Sequence, residues 1–497
     1  MRNRSKYLIV IKDNITIIGA FVLSIIFLIV SMISISSGLT LLWLIPPALL
    51  MIFLAFFAID KFLLLVVFLV PGSIQLRFIM PDTPADIFLP TEIMLAVILL
   101  LMVFKVFIYR EISRKIFLHP VSIISFCMLA WYLITSLSGT LPAVSFKSFI
   151  TRLWFFAGFY LLATEIFGKP ERIRNYFSAY IAGMVPVVIY YLIRMWQAGI
   201  FNQKAAHTAI RPFFNDHTSL GAALAFCIPV IIYLLTRRGT SKIIRTILSI
   251  LLLFFSAAFV LSYSRAAWIS LAAAGLVASF LLLRISWRIV LPAAVIVFIG
   301  ISLSWSALLF RLNENKQESS SNIKRHLQSI ANIRSDASNM ERINRWKSAL
   351  RMFREKPLMG WGPATYQFKY APFQMASEKT IISTNYGEGG NAHSEYLGSL
   401  VDSGIPGLIL YFLLLFLSIR KGIIIWETHW DKQIRNMALA LVAGLMTYAV
   451  HGALNNFLDT DKLSALFWGM IAAIVAIDIR LEQEKKDRKL SQIGGDN

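Results

Sequence analysis

The chain is poor in cysteine and in charged residues. It has 2 cysteines among 497 residues, and only 15% of its residues are Asp, Glu, Lys or Arg. Because soluble domains are close to a quarter charged, this composition argues against a soluble enzyme and against a disordered protein. Cys127 and Cys227 both lie inside apolar runs, so we expect neither a disulfide-stabilised secreted domain nor a cysteine metal site.

The sequence also lacks the common motifs for binding metals and nucleotides. Its histidines form no HxxxH or HExxH pair, and neither a P-loop nor a GxGxxG motif is present. We therefore predict no metal and no cofactor. Acidic residues are scarce as well, and the formal net charge is +21. In a membrane protein such an excess is typical of cytoplasmic loops, so it does not indicate nucleic acid as a partner.

Long apolar runs are the main feature of the sequence. Hydrophobic residues make up 57% of the chain, and its mean hydropathy is +0.67. A helix needs about 20 apolar residues to cross a membrane. The sequence therefore predicts an all-α polytopic membrane protein with about 12–14 transmembrane helices. The candidate spans are 15–36, 39–59, 61–79, 87–109, 121–138, 149–167, 174–195, 218–236, 243–262, 266–283, 289–310, 403–419, 435–452 and 463–479.

Lys and Arg are divided unevenly between the two sets of loops that alternate along these spans. One set holds 27 of them and the short loops of the other set hold 8. Loops rich in Lys and Arg stay in the cytoplasm, so we expect both termini to be cytoplasmic. The long loop 311–402 then lies on the outer side.

Five regions follow from this arrangement. We expect N-terminal spans, core spans with arginines that could bind a ligand, a large outer loop with a candidate catalytic histidine, C-terminal spans and a basic cytoplasmic tail. Their predicted boundaries are 1–200, 201–310, 311–402, 403–479 and 480–497.

Arg265 is the first candidate for chemistry. It lies in the stretch S-Y-S-R-A-A-W at 262–268, which joins two predicted spans on the outer side with almost no loop. A guanidinium group is always charged, and its forked donors match phosphate oxygens, so Arg265 is a candidate ligand for a diphosphate. The ordinary alternative is an anchor that reaches the membrane interface.

Two further arginines are candidates for the same role. Arg211 opens the stretch R-P-F-F-N-D-H-T-S-L-G, which precedes a span on the same side. The alternative for this stretch is a plain loop in which Asp216 or Thr218 caps the next helix. Arg152, in F-K-S-F-I-T-R-L-W, is a weaker third candidate, since it too could be an interfacial anchor.

A histidine lies in the glycine-containing stretch 389–408, just before a predicted span. We expect Asn391 to cap a short helix that Gly404 terminates, with His393 and Tyr396 on one helical face. An imidazole with a pKa near about 6.5 suits a general base that acts on a sugar hydroxyl. A structural role for His393 is the alternative.

The outer loop contains an amphipathic pattern. Apolar residues repeat every three or four positions over 340–353, which predicts a helix capped by Asn339 and ended by Pro357. Arg342 lies off the apolar face, which includes Trp346. The helix is either interfacial with a solvated basic flank, or in contact with anionic lipid or glycan groups.

Four of these stretches together resemble the O-antigen ligase / Wzy-type O-antigen polymerase superfamily of bacterial membrane glycosyltransferases. S-Y-S-R-A-A-W at 262–268 is similar to its S-R-[GA]-x-W/L hairpin, and R-P-F-F-N-D-H-T-S-L-G at 211–221 to its segment before a core helix. E-R-I-N-R-W-K-S-A-L-R-M-F-R-E-K-P-L-M-G-W-G at 341–362 resembles R-x-x-x-W…P-L-x-G-x-G. N-A-H-S-E-Y-L-G-S-L-V-D-S-G-I-P-G-L at 391–408 resembles H-[NS]-x-[YL]-L…G-x-x-G-L.

The resemblance implies a GT-C-like, metal-independent, inverting glycosyltransferase of the bacterial inner membrane whose active site is periplasmic. The donor would be a glycan linked to undecaprenyl diphosphate, and the acceptor a hydroxyl of lipid A–core or of a growing glycan. One departure is His217, where the family usually has Asn. The implied roles are diphosphate binding by Arg211, Arg265 and possibly Arg152, catalysis by His393, and loop ordering or acceptor contact by Arg342, Trp346, Asn391 and Tyr396.

Several functions stay open at this point. Our first hypothesis is an O-antigen ligase, which transfers a polymer to a lipid A–core sugar. A Wzy-type O-antigen or exopolysaccharide polymerase is the alternative, followed by a protein O-oligosaccharyltransferase. A membrane transporter would belong to another class and predicts inverted repeats, none of which the sequence contains.

Overall fold

The computed structural model describes most of the chain. The described residues are 45–80, 87–109, 112–285, 337–380 and 390–494, with Ser383 and isolated positions between 19 and 33. The predicted span 289–310 lies outside them, and the predicted span 15–36 is described only at isolated positions.

The fold is all-α and polytopic, which confirms the predicted class. Over the described residues, nine helices are long and apolar enough to cross a membrane. In chain order they are α6 Pro120–Ser138, α7 Pro142–Ile166, α8 Pro170–Ala198, α10 His217–Thr236, α11 Lys242–Leu261, α12 Arg265–Leu282, α15 Glu395–Thr428, α16 Lys432–Leu454 and α17 Asp461–Gly494.

Shorter elements complete the described architecture. Two short strands pair in an antiparallel ribbon, with Ile74 opposite Leu89 and Gln75 opposite Phe88. The chain divides into two compact units, residues 1–65 and residues 66–497. The shorter elements are α1 Ile45–Phe57, α2 Ile59–Leu69, β1 Ile74–Gln75, α3 Leu76–Ile79, β2 Phe88–Leu89, α4 Thr91–Phe104, α5 Arg114–Phe117, α9 Gln203–Ala209, α13 Ala337–Glu355 and α14 Tyr366–Lys369.

The predicted span 61–79 is wrong, since its second half is not one continuous helix. Helix α2 ends at Leu69, and a short 3-10 turn, Val70–Gly72, leads into strand β1. Polar side chains then occupy the protein interior, where the Ser73 hydroxyl donates a 2.6 Å hydrogen bond to the Asp461 carboxylate. A buried polar group needs such a partner, so this segment turns inside the bundle where a spanning helix was expected.

Local signals place the ends of most spans within a few residues of the prediction. Proline occupies the first helical position of α6, α7 and α8, where its missing N–H costs nothing. Helix α10 begins directly after Asp216, as the predicted cap requires. The predicted loop helix is α13, which ends at Glu355, two residues before Pro357.

Helix α16 packs against α15, α12 and α10, and so connects the second half of the bundle. Its Gly444 allows a close approach, because a Cβ there would lie 2.4 Å from the Met470 side chain of α17. Helices α10 and α17 are the most enclosed of the nine, whereas α11 and α12 present most of their apolar surface outward. Helices α10 and α17 therefore form the centre of the bundle.

Helix α15 contains a break at Gly404. The φ angle of Gly404 is +69°, in the left-handed region, and the next turn includes Pro406. The predicted stop at Gly404 is therefore confirmed as a kink inside one long helix. The segment before the kink is Glu395–Ser403, which lies inside the predicted outer loop except for Ser403. His393 is two residues before its start.

Candidate functional site

Three helices begin at one end of the bundle. Helix α10 starts after Asp216, α12 after Ser264 and α15 after Ser394, and each of these residues caps its helix through a side-chain oxygen. The N-terminus of a helix carries partial positive charge and unsatisfied N–H groups, so it favours anions. We refer to this part of the molecule as the site end.

Asp216 is the best-defined cap. Its Oδ1 accepts hydrogen bonds from the backbone N–H of Thr218 over 2.9 Å and of Ser219 over 2.8 Å. Burial acts to raise the pKa of Asp216, but the neighbouring His217 and these hydrogen bonds outweigh burial and lower it. Asp216 is therefore an ionised carboxylate among several basic side chains of the site end.

Arg265 lies at the site end as the first residue of α12. It is half-buried, and its charge reaches His217 at the start of α10, as does the charge of Arg342 from α13. The ring of His217 also packs against His207, with centroids 4.0 Å apart. Two guanidinium groups from distant parts of the sequence thus converge on one histidine.

Arg211 lies in the loop just before α10 and is exposed. Its Nε donates to the backbone oxygen of Asn215 over 3.1 Å, and its own backbone oxygen accepts from the Tyr190 hydroxyl over 2.8 Å. It is not among the charges that act most strongly on His393 or on His217. Its predicted role as a donor ligand stays a prediction.

His393 lies at the site end, in the loop immediately before α15. Its φ angle is +51°, and its backbone N–H donates to Asn391 Oδ1 over 3.0 Å. The prediction that Asn391 caps a helix containing His393 is wrong. Ser394 is the cap, because the backbone at His393 turns into the left-handed region and cannot continue a helix.

His393 is surrounded by both basic and acidic groups. Burial is the main reason that the pKa of His393 is lowered to about 3, and the charges of Arg345 and Arg342 act in the same direction. Asp216 and Glu341 oppose them, so both carboxylates lie within electrostatic reach of the imidazole. At neutral pH the ring is uncharged, so it can accept a hydrogen bond or a proton.

Helix α13 lies across the His393 loop and contacts it. Trp346 Nε1 donates to the backbone oxygen of His393 over 3.3 Å. Arg345 Nη1 donates to the backbone oxygen of Asn391 over 3.1 Å. The loop is therefore anchored by main-chain contacts and leaves the imidazole of His393 available.

Arg345 is a residue that the sequence argument did not single out. It is 5% exposed, its Nε donates to Glu341 Oε1 over 2.9 Å, and its guanidinium stacks 5.2 Å from the Tyr370 ring. Gly390 has a φ angle of +105°, and a Cβ there would lie 1.9 Å from Arg345 Nη1, so another residue would strain the backbone and displace the guanidinium. The i, i+4 spacing of Glu341 and Arg345 on a predicted helix was the available signal.

Asn391 and Tyr396 attach the same loop to the helices beneath it. Asn391 Nδ2 donates to the backbone oxygen of Asn456 over 2.8 Å, and the Tyr396 hydroxyl donates to the backbone oxygen of Ala449 over 2.8 Å. Both partners belong to the end of α16 or the turn that follows it. These contacts attach the loop to α16 and the turn after it, and the predicted roles of the two residues in loop ordering or acceptor contact stay predictions.

Arg152 lies in a different cluster. It is on α7, its guanidinium is 4.6 Å from the centre of the Tyr132 ring, and the acidic groups that act on it are Asp402, Glu395 and Asp459. The groups that act most strongly on His393 are a separate set. The structure therefore does not group Arg152 with the other predicted site residues.

Within the described ranges, no group of three or more His, Cys, Asp or Glu side chains is arranged to hold a metal ion. The chemistry open to the site end is that of helix N-termini, guanidinium groups and a neutral imidazole. Such a set can bind an anion and accept a proton from a neighbouring hydroxyl.

These features define a multi-pass α-helical membrane protein with a basic, histidine-containing site at one end of the bundle. Residues 250–412 match the model of the family described as O-antigen ligase, a family of glycosyltransferase-like enzymes. Over these residues the match confirms the superfamily resemblance that the motifs predict. The match includes Arg265, Arg342 and His393, whereas Arg211 precedes it. No curated protein matches the chain.

Proposed function

We propose that the chain is an O-antigen ligase-like glycosyltransferase. It moves a glycan from undecaprenyl diphosphate to a hydroxyl of a periplasmic acceptor, which we take to be lipid A–core. The observation that supports this proposal is the convergence of Arg265, Arg342 and His393 around Asp216 and His217 at the site end. The family match supplies the class of reaction.

The donor diphosphate would bind where helix N-termini and guanidinium groups meet. Arg265 and Arg211 are the proposed ligands, and the start of α12 adds backbone N–H groups beside Arg265. Negative charge on the diphosphate grows as the anomeric C–O bond breaks, so these groups stabilise the transition state more than the bound donor. Undecaprenyl diphosphate leaves with the electron pair of that bond.

His393 would accept the proton of the acceptor hydroxyl as its oxygen attacks the anomeric carbon from the opposite face of the sugar. The new glycosidic bond then has inverted configuration. Burial lowers the pKa of His393 to about 3, with a further contribution from Arg345 and Arg342. A bound diphosphate would offset the positive charges of these two arginines and would raise that pKa. Donor binding thus makes the imidazole a stronger base.

The experiment is a deletion of the gene in its bacterium, followed by gel analysis of lipopolysaccharide. We expect loss of the whole polymer ladder, with polymer accumulating on the lipid carrier. Wild-type chain should restore the ladder, and H393A should not, although it reaches the membrane in equal amount. H429A is the control, because His429 follows the opposite end of α15.

Two results would overturn the ligase proposal. Core carrying a single repeat unit in the deletion strain would assign the chain to the polymerases. A ladder unchanged by the deletion would remove lipopolysaccharide as the acceptor. A normal ladder with H393A would remove the general-base role of His393 alone.

A further inference from the structure

The mechanism gives no role to Arg152, a half-buried residue of α7. Its Nε is buried and has no hydrogen-bond partner in the part of the chain that the structure describes. Its guanidinium lies 4.6 Å from the centre of the Tyr132 ring. A buried positive charge is costly unless another charge compensates it, so its surroundings should reveal its role.

Two buried carboxylates compensate the charge of Arg152. Asp402 and Glu395 both act on it electrostatically, and they are 7% and 4% exposed. Asp402 Oδ2 accepts only the backbone N–H of Ala364 over 3.1 Å, while its Oδ1 is buried with no hydrogen-bond partner among the described atoms. Arg152 is the basic group whose charge acts on Asp402, and Asp402 has few hydrogen bonds of its own among the described residues.

Glu395 is better supported by its own contacts. Its Oε1 accepts hydrogen bonds from the Tyr448 hydroxyl over 2.5 Å and from the backbone N–H groups of Phe457 and Leu458, each over 2.9 Å. These bonds tie the first turn of α15 to α16 and to the loop before α17. Removing the positive charge of Arg152 should therefore disturb Asp402 more than Glu395.

The space around Arg152 does not suit a lipid diphosphate. Arg152 and Glu395 line a cavity of about 30 Å³, together with Tyr132, Ser399 and Tyr411. Its lining already includes the carboxylate of Glu395 and is otherwise mostly apolar or aromatic. An anion there would be repelled by this carboxylate and poorly solvated.

The two carboxylates that act on Arg152 belong to the part of α15 that directly follows His393. Asp402 and Glu395 are near the two ends of the segment Glu395–Ser403, and His393 is two residues before its start. The backbone oxygen of Asp402 accepts from the N–H of Gly362 over 2.9 Å, so the same segment also holds the outer loop. A change in its position would move the imidazole of His393.

We infer that Arg152 is a positioning residue whose charge neutralises Asp402 and Glu395 and so fixes the segment that carries His393. This replaces its predicted role as a third ligand of the donor diphosphate. The effect on catalysis rests on the proposed function, whereas the charge compensation does not.

The test is a double-mutant cycle on purified protein in detergent. The variants are R152M, D402N, R152M/D402N and R152K, with R194M as the control, since Arg194 is an exposed arginine of α8. Thermal unfolding gives the stability of each variant. Transfer of a glycan from undecaprenyl diphosphate to lipid A–core gives kcat and the KM for donor.

We expect R152M to lower the melting temperature and to lower kcat by between about 10-fold and 100-fold, because a displaced base loses its geometry. The KM for donor should stay within about twofold of the wild-type value, which corresponds to less than about 0.5 kcal/mol. Adding D402N should restore most of the melting temperature and of kcat. R152K keeps the charge and should retain most of the activity, and R194M should match the wild type.

Other results would overturn the inference. A raised KM for donor in R152M that D402N does not correct would make Arg152 a donor ligand. A melting temperature unchanged in R152M would remove the charge compensation. If even the wild type transfers no glycan, the proposed function fails. The melting temperature of R152M/D402N still decides whether the charges of Arg152 and Asp402 compensate each other.

Discussion

The indole Nε1–H of Trp346 donates a hydrogen bond to the backbone oxygen of His393 over 3.3 Å. His393 has a φ angle of +51°, a conformation that costs a non-glycine residue about 1–2 kcal/mol. The bond from Trp346 and the bond from the His393 N–H to Asn391 Oδ1 lie on either side of this turn. Together they maintain a backbone conformation that the histidine would not adopt by itself.

Trp346→Phe should therefore slow transfer without unfolding the chain. It removes a hydrogen bond worth about 0.5–1.5 kcal/mol and leaves most of the ring, so we expect kcat to fall by about 2- to 12-fold. The matched control is W361F, which removes the indole bond to the backbone oxygen of Met352 in the same loop. An equal fall in kcat for both variants would show a general loosening of the loop.

Arg265→Lys should impair transfer although the charge is kept. A bidentate contact to phosphate uses the forked guanidinium, and a hydrogen bond to a charged group is worth about 1.5–3 kcal/mol. We expect kcat/KM for donor to fall by between about 10-fold and 100-fold, with a larger loss in R265A. R194K serves as the control. Full activity of R265K would limit Arg265 to anchoring α12 at the membrane interface.

The pKa of His393 predicts how stability depends on pH. In the folded chain this pKa is lowered from 6.5 to about 3, so below pH 6.5 the unfolded chain takes up a proton at His393 that the folded chain does not. Stability is therefore lost as the pH falls from about 6.5 towards about 3. The melting temperature should fall less between pH 7.5 and pH 5 in H393Q than in the wild type. An equal fall in both would mean that His393 titrates normally in the folded chain.

Gly404→Ala should destabilise the site end. A Cβ at this position would lie 2.0 Å from the backbone oxygen of Leu358, and its φ angle of +69° disfavours any other residue. We expect the free energy of unfolding to fall by at least about 1–2 kcal/mol. Transfer should also be reduced, because the kink and the outer loop would have to move apart to make room for the Cβ. The control is Gly275→Ala on α12, where a Cβ meets nothing within 4 Å and a helical alanine should stabilise. A fully stable G404A would mean that the loop moves aside freely.

The sequence predicted those features that depend on neighbouring residues. The span predicted at 218–236 is α10, His217–Thr236, and its cap is Asp216, because hydropathy and capping act within a few positions. The same holds for the loop helix α13 and for the break at Gly404. The prediction failed at 61–79 and at Asn391, where contacts with Asp461 and Asn456 from distant parts of the chain decide the local conformation.

The sequence by itself therefore determined the class of fold, most of the spans and the family, since apolar run length and short motifs are local properties. Only the tertiary structure decided which basic groups share one environment. It brings Arg265, Arg342 and His393 to one end, whereas the charge of Arg152 interacts with those of Asp402 and Glu395 in a separate cluster. The physical reason is that charges interact through space, and the packing of α7, α13 and α15 fixes those distances.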